Sequence, residues 1–247
     1  MTLRSTHKIL DILTLFDDNT LEMSIDEISS DTQVPQSSLY RYLKLLCDRG
    51  FLEKSAVGCY QLGHRFHMLS RVAAKSNRDL RLVAIPSMQR ICTQIIETVT
   101  LMRLSGQYAV CIESIEGKQA IRAVVQQGRL QPLYVGASSK ILLSAIDEDE
   151  WHQYLPEQWD KLTEATIMDR EQYYNDLRQA QRNGYAISNG EIDEGGRAVA
   201  VPIRNSKNRV VAALSIEGPY FRMGDDVLEP YIALLQKESM IIQAQIP

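Results

Sequence analysis

The 247-residue chain has only four cysteines, Cys47, Cys59, Cys92 and Cys111, and none are in C-x-x-C spacing. That argues against a thiolate metal site or a disulfide framework and for free, buried thiols. No apolar run approaches the roughly 20 residues that span a bilayer, and MTLRSTHKIL turns polar too soon for a secretory signal. A cytoplasmic protein with no membrane contact is expected. The sequence lacks G-x-S-x-G, H-E-x-x-H, G-x-G-x-x-G and a phosphate-binding P-loop. Histidine is scarce too, and His152 is the single one after residue 80. The candidate nucleophiles Ser138, Ser139, Cys111 and Ser215 therefore have no base placed beside them by any motif. No enzyme, cofactor or metal is expected. His64 and His67 are three apart, but without a neighbouring acid or cysteine they read as surface groups. The acid-rich EIDEGGR reads as a strand end and turn.

A block of basic charge is also missing. The net charge is −4, which taken whole speaks against nucleic acid. By segment, residues 1–82 hold eleven Lys and Arg against ten Asp and Glu, a net of +1, which leaves −5 for the remainder. Any DNA contact must come from a few placed cations. What is present is ordinary: 45% hydrophobic and 23% charged residues, enough to build cores.

The N-terminal pattern is helical. Ser5 precedes a stripe of Ile9, Leu13 and Phe16, ended by Asp17-Asp18-Asn19. Ser24 with Glu27 three residues on is a capping box for a short second helix, with Ile25 and Ile28 inward. Pro35 suits the first turn of a third helix. In VPQSSLYRYLKLLCDRGFLEK, residues 34–54, Leu39, Leu43 and Leu46 form one apolar stripe. Ser37, Tyr40, Arg41, Lys44 and Asp48 fall opposite, and Gly50 closes the helix. Two β-like runs, Phe51–Lys54 and Cys59–Leu62, follow with a turn at Gly58. Alone, the third helix reads as amphipathic with a wet face. Between a capped helix and a hairpin it reads as the recognition helix of a winged helix-turn-helix. Ser37 and Ser38 then sit at a helix N-terminus suited to phosphate. Arg41 suits a two-pronged guanine contact. Gln36, Tyr40 and Lys44 add base or phosphate contacts, and Lys54 and Ser55 lie at the wing.

Residues 64–79 read as a joining helix. Residues 80–97 continue helically with Met88, Ile91 and Ile95 inward, and Pro86 is expected to kink or restart that helix. The period then changes to two. TVTLMRLSG, YAVCIESIEG and QAIRAVVQQG predict three strands of an antiparallel meander. GASSKILLSAI predicts a helix opened by Gly136, and Glu148–Tyr154 a poorer one. MDREQYYNDLRQAQRNG predicts a helix with Tyr174, Leu177 and Ala180 or Gln181 on one side and Gly184 as its cap. YAISNGEI, RAVAVPIRN and RVVAALSIEG predict three more strands, with RNSKNR turning between the last two. A final helix covers about Asp225–Ile246. The whole is an α+β arrangement, a sheet with helices before and after it.

VPQSSLYRYLKLLCDRGFLEK followed by YQLGHRFHMLS resembles the isocitrate-lyase-regulator (IclR) family of bacterial transcription factors, with Gln36 where the family carries a lysine. PLYVGASSKILLSA, GYAISNGEIDEGGRAVAVPI and AALSIEGPYFRM resemble three further segments of the same family, so the likeness spans nearly the whole chain. It implies a winged helix-turn-helix DNA-binding domain over 1–65, a linker helix over 66–79 and a GAF-like α/β effector-binding domain over 80–247. It implies a ligand-responsive regulator, a repressor of a catabolic operon. The partners implied are double-stranded DNA at a pseudo-palindromic operator, a small carboxylate or aromatic effector, and further copies in a homodimer or dimer of dimers. The alternatives in other classes are a winged-helix sensor acting through a protein partner and a small-molecule enzyme. By position, the effector pocket falls to Gly136, Ala137, Ser138, Ser188, Ala198, Ser215 and Glu217. Ser188 stands where the family has an acid, Ala198 where it has a cysteine, and Glu217 where it has a serine. A carboxylate at Glu217 repels an anionic ligand unless it is protonated or paired, with Arg197 the candidate partner. That favours a ligand with a hydroxyl, an amine or a ring. The alternative is that Glu217 points outward and leaves acid specificity intact.

Overall fold

The structure is a computed structural model that describes residues 2–17 and 20–246, with the backbone path alone for residues 2–6 and 73–79. The chain divides into two compact units, Met1–Asn77 and Arg78–Pro247.

In the first unit, α1 (Thr2–Thr14), α2 (Ile25–Thr32) and α3 (Gln36–Asp48) pack with a three-stranded sheet. α1 begins three residues before Ser5, and Asp18 and Asn19 of its expected stop lie outside the described residues. Its fully buried residue is Ile12, with Ile9, Leu13 and Phe16 packed around it at the rim. The Ser24 capping box forms, Ser24 N donating to Glu27 Oε2 at 2.7 Å and Glu27 N to Ser24 Oγ at 3.3 Å. Pro35 is the N-cap of α3 and its carbonyl accepts from Ser38 N and Leu39 N. Leu39, Leu43 and Leu46 are buried as expected, joined by Tyr42. Gly50 follows with φ +71°, a left-handed conformation natural to glycine. A side chain there would also strike His64, 2.7 Å from an added Cβ.

The hairpin is β2 (Leu52–Lys54) with β3 (Tyr60–Leu62), turning at Gly58. A two-residue strand β1 (Glu22–Met23), absent from the sequence reading, pairs with β3 to give the order β1-β3-β2. The joining stretch and the following segment form one helix, α4 (Arg65–Ile95), which passes through Pro86 without a restart. His64 lies before it, its ring Nδ1 2.8 Å from Glu53 Oε1.

In the second unit six strands lie in the order β6-β5-β4-β9-β8-β7, every pair antiparallel. They are β4 (Thr98–Ser105), β5 (Tyr108–Ile115), β6 (Leu130–Pro132), β7 (Ala186–Asn189), β8 (Gly196–Arg204) and β9 (Val210–Pro219). The run QAIRAVVQQG is not a strand. Its alternation is real, with Ala123 and Val125 half-buried, but Cys111 on the neighbouring edge exchanges backbone bonds with Gly128 and Arg129 instead. The edge strand is therefore the three residues of β6.

Strand alternation sorts the two faces. Val99, Leu101, Val199, Val201, Leu214 and Ile216 pack against Met88, Ile91 and Ile95 of α4 and against α8 (Asp225–Gln243). The opposite face carries small residues, among them Ala200 and Ala213, so α5 (Ala137–Ser144) and α7 (Arg170–Asn183) sit close over it. Between them, Glu148–Glu150 makes a 3-10 turn leading into α6 (Trp151–Tyr154). α7 turns Tyr173 inward, not Tyr174: with Leu177 and Ala180 it lies at i, i+4, i+7, and its hydroxyl donates to the Leu133 carbonyl. All four cysteines are free, Cys92 and Cys111 buried and the other two half-buried.

Leu43 is wholly inside the first unit. Leu43→Ala is expected to cost about 2–5 kcal/mol in urea unfolding of the chain followed by circular dichroism at helical wavelengths.

Candidate functional site

On α3 the face away from the core is open. Gln36, Ser37, Tyr40, Arg41 and Lys44 are exposed and Ser38 is half-buried. Arg41 lies over the Tyr42 ring at 5.7 Å, a contact that leaves its N–H donors available. Gln36 is engaged: its amide donates to Asp26 Oδ1 and ties α3 to α2. At the hairpin Lys54 is exposed and rests over the Tyr60 ring at 5.3 Å. Ser55 is placed differently from the sequence reading, its hydroxyl shielded from solvent with no hydrogen-bond partner.

In the second unit a cleft of about 60 Å³ opens at one end of the sheet. That is space for a few waters at roughly 10–15 Å³ each. Ser188, Ala198 and Glu217 form its floor because they lie side by side on β7, β8 and β9 in direct register. The turn from Gly190 to Gly196 forms one wall and Ala123 reaches in from the other side. The remaining expected pocket residues lie behind this floor. Ala137, Ser138 and Ser215 are buried. Ser138 Oγ donates to Ser215 Oγ at 3.0 Å, and Ser215 Oγ lies 3.0 Å from Glu217 Oε1. Thr100, which sequence reasoning passed over, joins them, 2.5 Å from Ser215 Oγ and 2.6 Å from Glu217 Oε1. A row of hydroxyls thus runs from the start of α5 to the cleft.

Glu217 does not pair with Arg197. Neighbours along a strand point to opposite faces, so Arg197, although it borders the cleft, turns its guanidinium away from the side that Ala198 faces. The Arg197 guanidinium instead donates to Met223 O and Asp225 Oδ1, both at 2.7 Å, and stacks on Tyr220. Burial pushes the Glu217 carboxyl up from its ordinary value, against the bonds from Thr100 and Ser215. Burial, with the nearby Glu217 charge, likewise pushes the Cys111 thiol up to about 12, which makes it a poor nucleophile.

The other missed element is a buried ion cluster. Lys140, on α5 and 2% exposed, donates to Glu191 Oε1 at 2.6 Å, Asp176 Oδ2 at 2.7 Å and the Ile187 carbonyl at 3.2 Å. The other Glu191 oxygen accepts from Gly136 N at 2.9 Å, at the N-terminus of α5. Gly136 has φ +84° and an added Cβ would lie 2.5 Å from the Gln131 amide, so only glycine fits. Glu191 belongs to the EIDEGGR turn; the turn is as expected, but this acid is buried within it. The one hint in the sequence was a lone lysine in an otherwise small and apolar helix. Among the described residues, no group of three or more His, Cys, Asp or Glu is placed to hold a metal ion, and no helix is long and apolar enough to cross a membrane.

Lys140→Met strands Glu191 inside the protein. It is expected to cost about 3–5 kcal/mol in chemical denaturation, and the double change Lys140→Met with Glu191→Met is expected to recover part of it. For Glu217 the sign is fixed by the raised value. The folded chain holds this proton more tightly than the unfolded chain, so the contribution favours folding below the ordinary value near 4.3. It is lost as pH rises through the folded value. Glu217→Gln is expected to gain in melting temperature relative to the parent as pH is raised from about 4 to 8; a difference independent of pH contradicts this.

Both units have known relatives. Residues 72–244 match the family model described as bacterial transcriptional regulator IclR C-terminal, and residues 5–56 match the IclR helix-turn-helix domain. The HTH-type transcriptional regulator KipR of Bacillus subtilis is 31% identical over 220 residues, covering 89% of this chain and 87% of KipR. XynR of Escherichia coli is 31% identical over 242 residues, covering 97% and 96%. An IclR homologue from Microbacterium hydrocarbonoxydans, solved in complex with 4-hydroxybenzoate, shares the fold with a TM-score of 0.83 at 24% identity over 98% of both chains. With both of its units matched and relatives aligned along nearly its full length, the chain belongs to the IclR family of bacterial transcriptional regulators.

Proposed function

We propose that the chain is a repressor of a catabolic operon that binds operator DNA through residues 1–65 and a small organic effector through residues 80–247, with residues 66–79 as the joining helix. The observation that carries the DNA reading is the outward face of α3. Ser37, Tyr40, Arg41 and Lys44 stand exposed on a helix whose other side is locked into a core. Nothing in the packing of the first unit needs those four side chains. The free N–H groups at the start of α3 suit a phosphate, Arg41 suits a guanine edge, and Lys44 and Lys54 suit the backbone. Gln36, held by Asp26, and Ser55, shielded from solvent, contribute after rearrangement or through their backbone.

A unit this close to neutral makes few phosphate contacts. Two copies on a pseudo-palindromic site double them, which supports a homodimer or a dimer of dimers with half-sites about 34–36 Å apart. Such a regulator works in the cytoplasm. The reading as a non-enzyme rests on the hydroxyls themselves. Ser138 donates to Ser215, Ser215 donates to Glu217, Ser139 donates to the Pro132 carbonyl, and Lys140 is fully engaged. The carboxylate beside Ser215, Glu217, accepts from Thr100 through the same oxygen, and Lys140 is spent on its two acids, so these groups do not form a nucleophile with its own base.

The test is a gel shift on the DNA upstream of the chain's own reading frame. Arg41→Ala is expected to weaken specific binding by about 1–3 kcal/mol and to relax preference at one base position. Lys44→Ala is expected to weaken all sequences alike and to reduce the salt slope by about 1. Specific binding unchanged by Arg41→Ala removes α3 as the reading element.

A further inference from the structure

Glu217 offers the cleft a particular atom. Its Oε1 is taken by Thr100 and Ser215, while its Oε2 has no hydrogen-bond partner among the described residues and faces the space that Glu217 lines. Thr100 Oγ1, Ser215 Oγ and Glu217 Oε1 are mutually in contact at 2.5, 2.6 and 3.0 Å. Thr100 and Ser215 both donate to Oε1, and Ser138 donates to Ser215 behind them. The ionised carboxylate therefore offers Oε2 to the cleft as its open acceptor.

The charges around it agree. The ionisable side chains among the lining residues are Glu191, Asp193, Glu217 and Arg197. Arg197 sends its guanidinium away to Asp225, and Glu191 is held by Lys140 and the Gly136 N–H. That last bond matters twice, because it fills the N-terminus of α5 with the protein's own carboxylate. Asp193 in the lining and Arg129 beyond it act on Glu217 with opposite signs, and the Cys111 thiol stays neutral beside it.

We propose that the effector is a hydrogen-bond donor, a small molecule presenting hydroxyl or ammonium groups and no carboxylate to the cleft, and that Glu217 Oε2 is the atom that reads it. This rests on residues 80–247 being an effector-binding domain and names the class of ligand for that site. A carboxylate end would meet an acceptor and like charge, with the helix N-terminus already occupied. A hydroxyl completes one hydrogen bond. An ammonium group favours the ionised form of Glu217, whose proton is left to solvent, and makes a charge-assisted bond with it.

The experiment is a thermal-shift titration of the full chain and of Glu217→Gln and Glu217→Ser. The probes are glycerol and erythritol as hydroxyl donors, ethanolamine and putrescine as ammonium donors, and acetate and pyruvate as carboxylates. The parent is expected to be stabilised saturably by at least one donor pair and not by the carboxylates. Glu217→Gln is expected to weaken that donor by about ten- to a hundredfold, the weight of one charge-assisted bond. Glu217→Ser is expected to gain a response to acetate or pyruvate, which reads the role of Glu217 without the natural effector in hand. Stabilisation of the parent by carboxylates, an unchanged donor response in Glu217→Gln, or silence of all three proteins toward every probe overturns the proposal. A carboxylate response accompanied by a change in operator affinity overturns the donor class and leaves the regulator standing. A Glu217-dependent donor response in a chain that binds no operator does the reverse.

Discussion

The buried ammonium group of Lys140 ties three elements of the second unit together beside the cleft. Three acceptors from three elements converge on it: Asp176 from α7, the Ile187 carbonyl from β7, and Glu191 from the turn after β7. An ammonium ion has three hydrogens, and all three are used. Because Glu191 is fixed in this way, its second oxygen can hold Gly136 N, and α5 starts where it does. That start places Ser138 against Ser215 and begins the hydroxyl row that ends at Glu217. One charge thus fixes the wall of the cleft at Glu191 and the start of α5 behind its floor, while strand register sets the floor itself. Such a cluster is costly to desolvate, so its worth is in specifying one arrangement, and its removal exposes that cost.

The first unit is built on the opposite plan. Its core is apolar, its caps are local, and its cations are left in water. Arg41 and Lys44 have no partner that the core needs, and aromatic rings beneath Arg41 and Lys54 arrange them without neutralising them. With a net charge near zero, such a unit depends on where its cations stand.

The sequence was legible wherever structure is local. The Ser24–Glu27 box, the Leu39, Leu43, Leu46 stripe and the left-handed Gly50 each follow from residues within one turn, and each stands as expected. It was less legible where backbone partners decide. Glu22–Met23 is a strand only because β3 pairs with it, and residues 119–128 alternate like a strand while their neighbour's edge is taken by Gly128 and Arg129. The Tyr173 and Tyr174 pair could be separated only by knowing which side of α7 meets α5. The site was half legible. Ser188, Ala198 and Glu217 share the cleft, but Lys140, Glu191 and Thr100 did not stand out, since a lysine in a helix and an acid in a turn ordinarily read as surface. The pairing of Arg197 with Glu217 failed on parity alone.

In the proposed regulator, occupation of the cleft changes what α3 does on DNA. The direct measurement is operator affinity of the full chain by fluorescence anisotropy, at fixed salt, with and without a compound that stabilises it saturably. Coupling of the usual strength changes the dissociation constant by about 5- to 150-fold, and a change in that range, lost in Glu217→Gln, is expected. An operator affinity that is the same with the cleft filled and empty would contradict it.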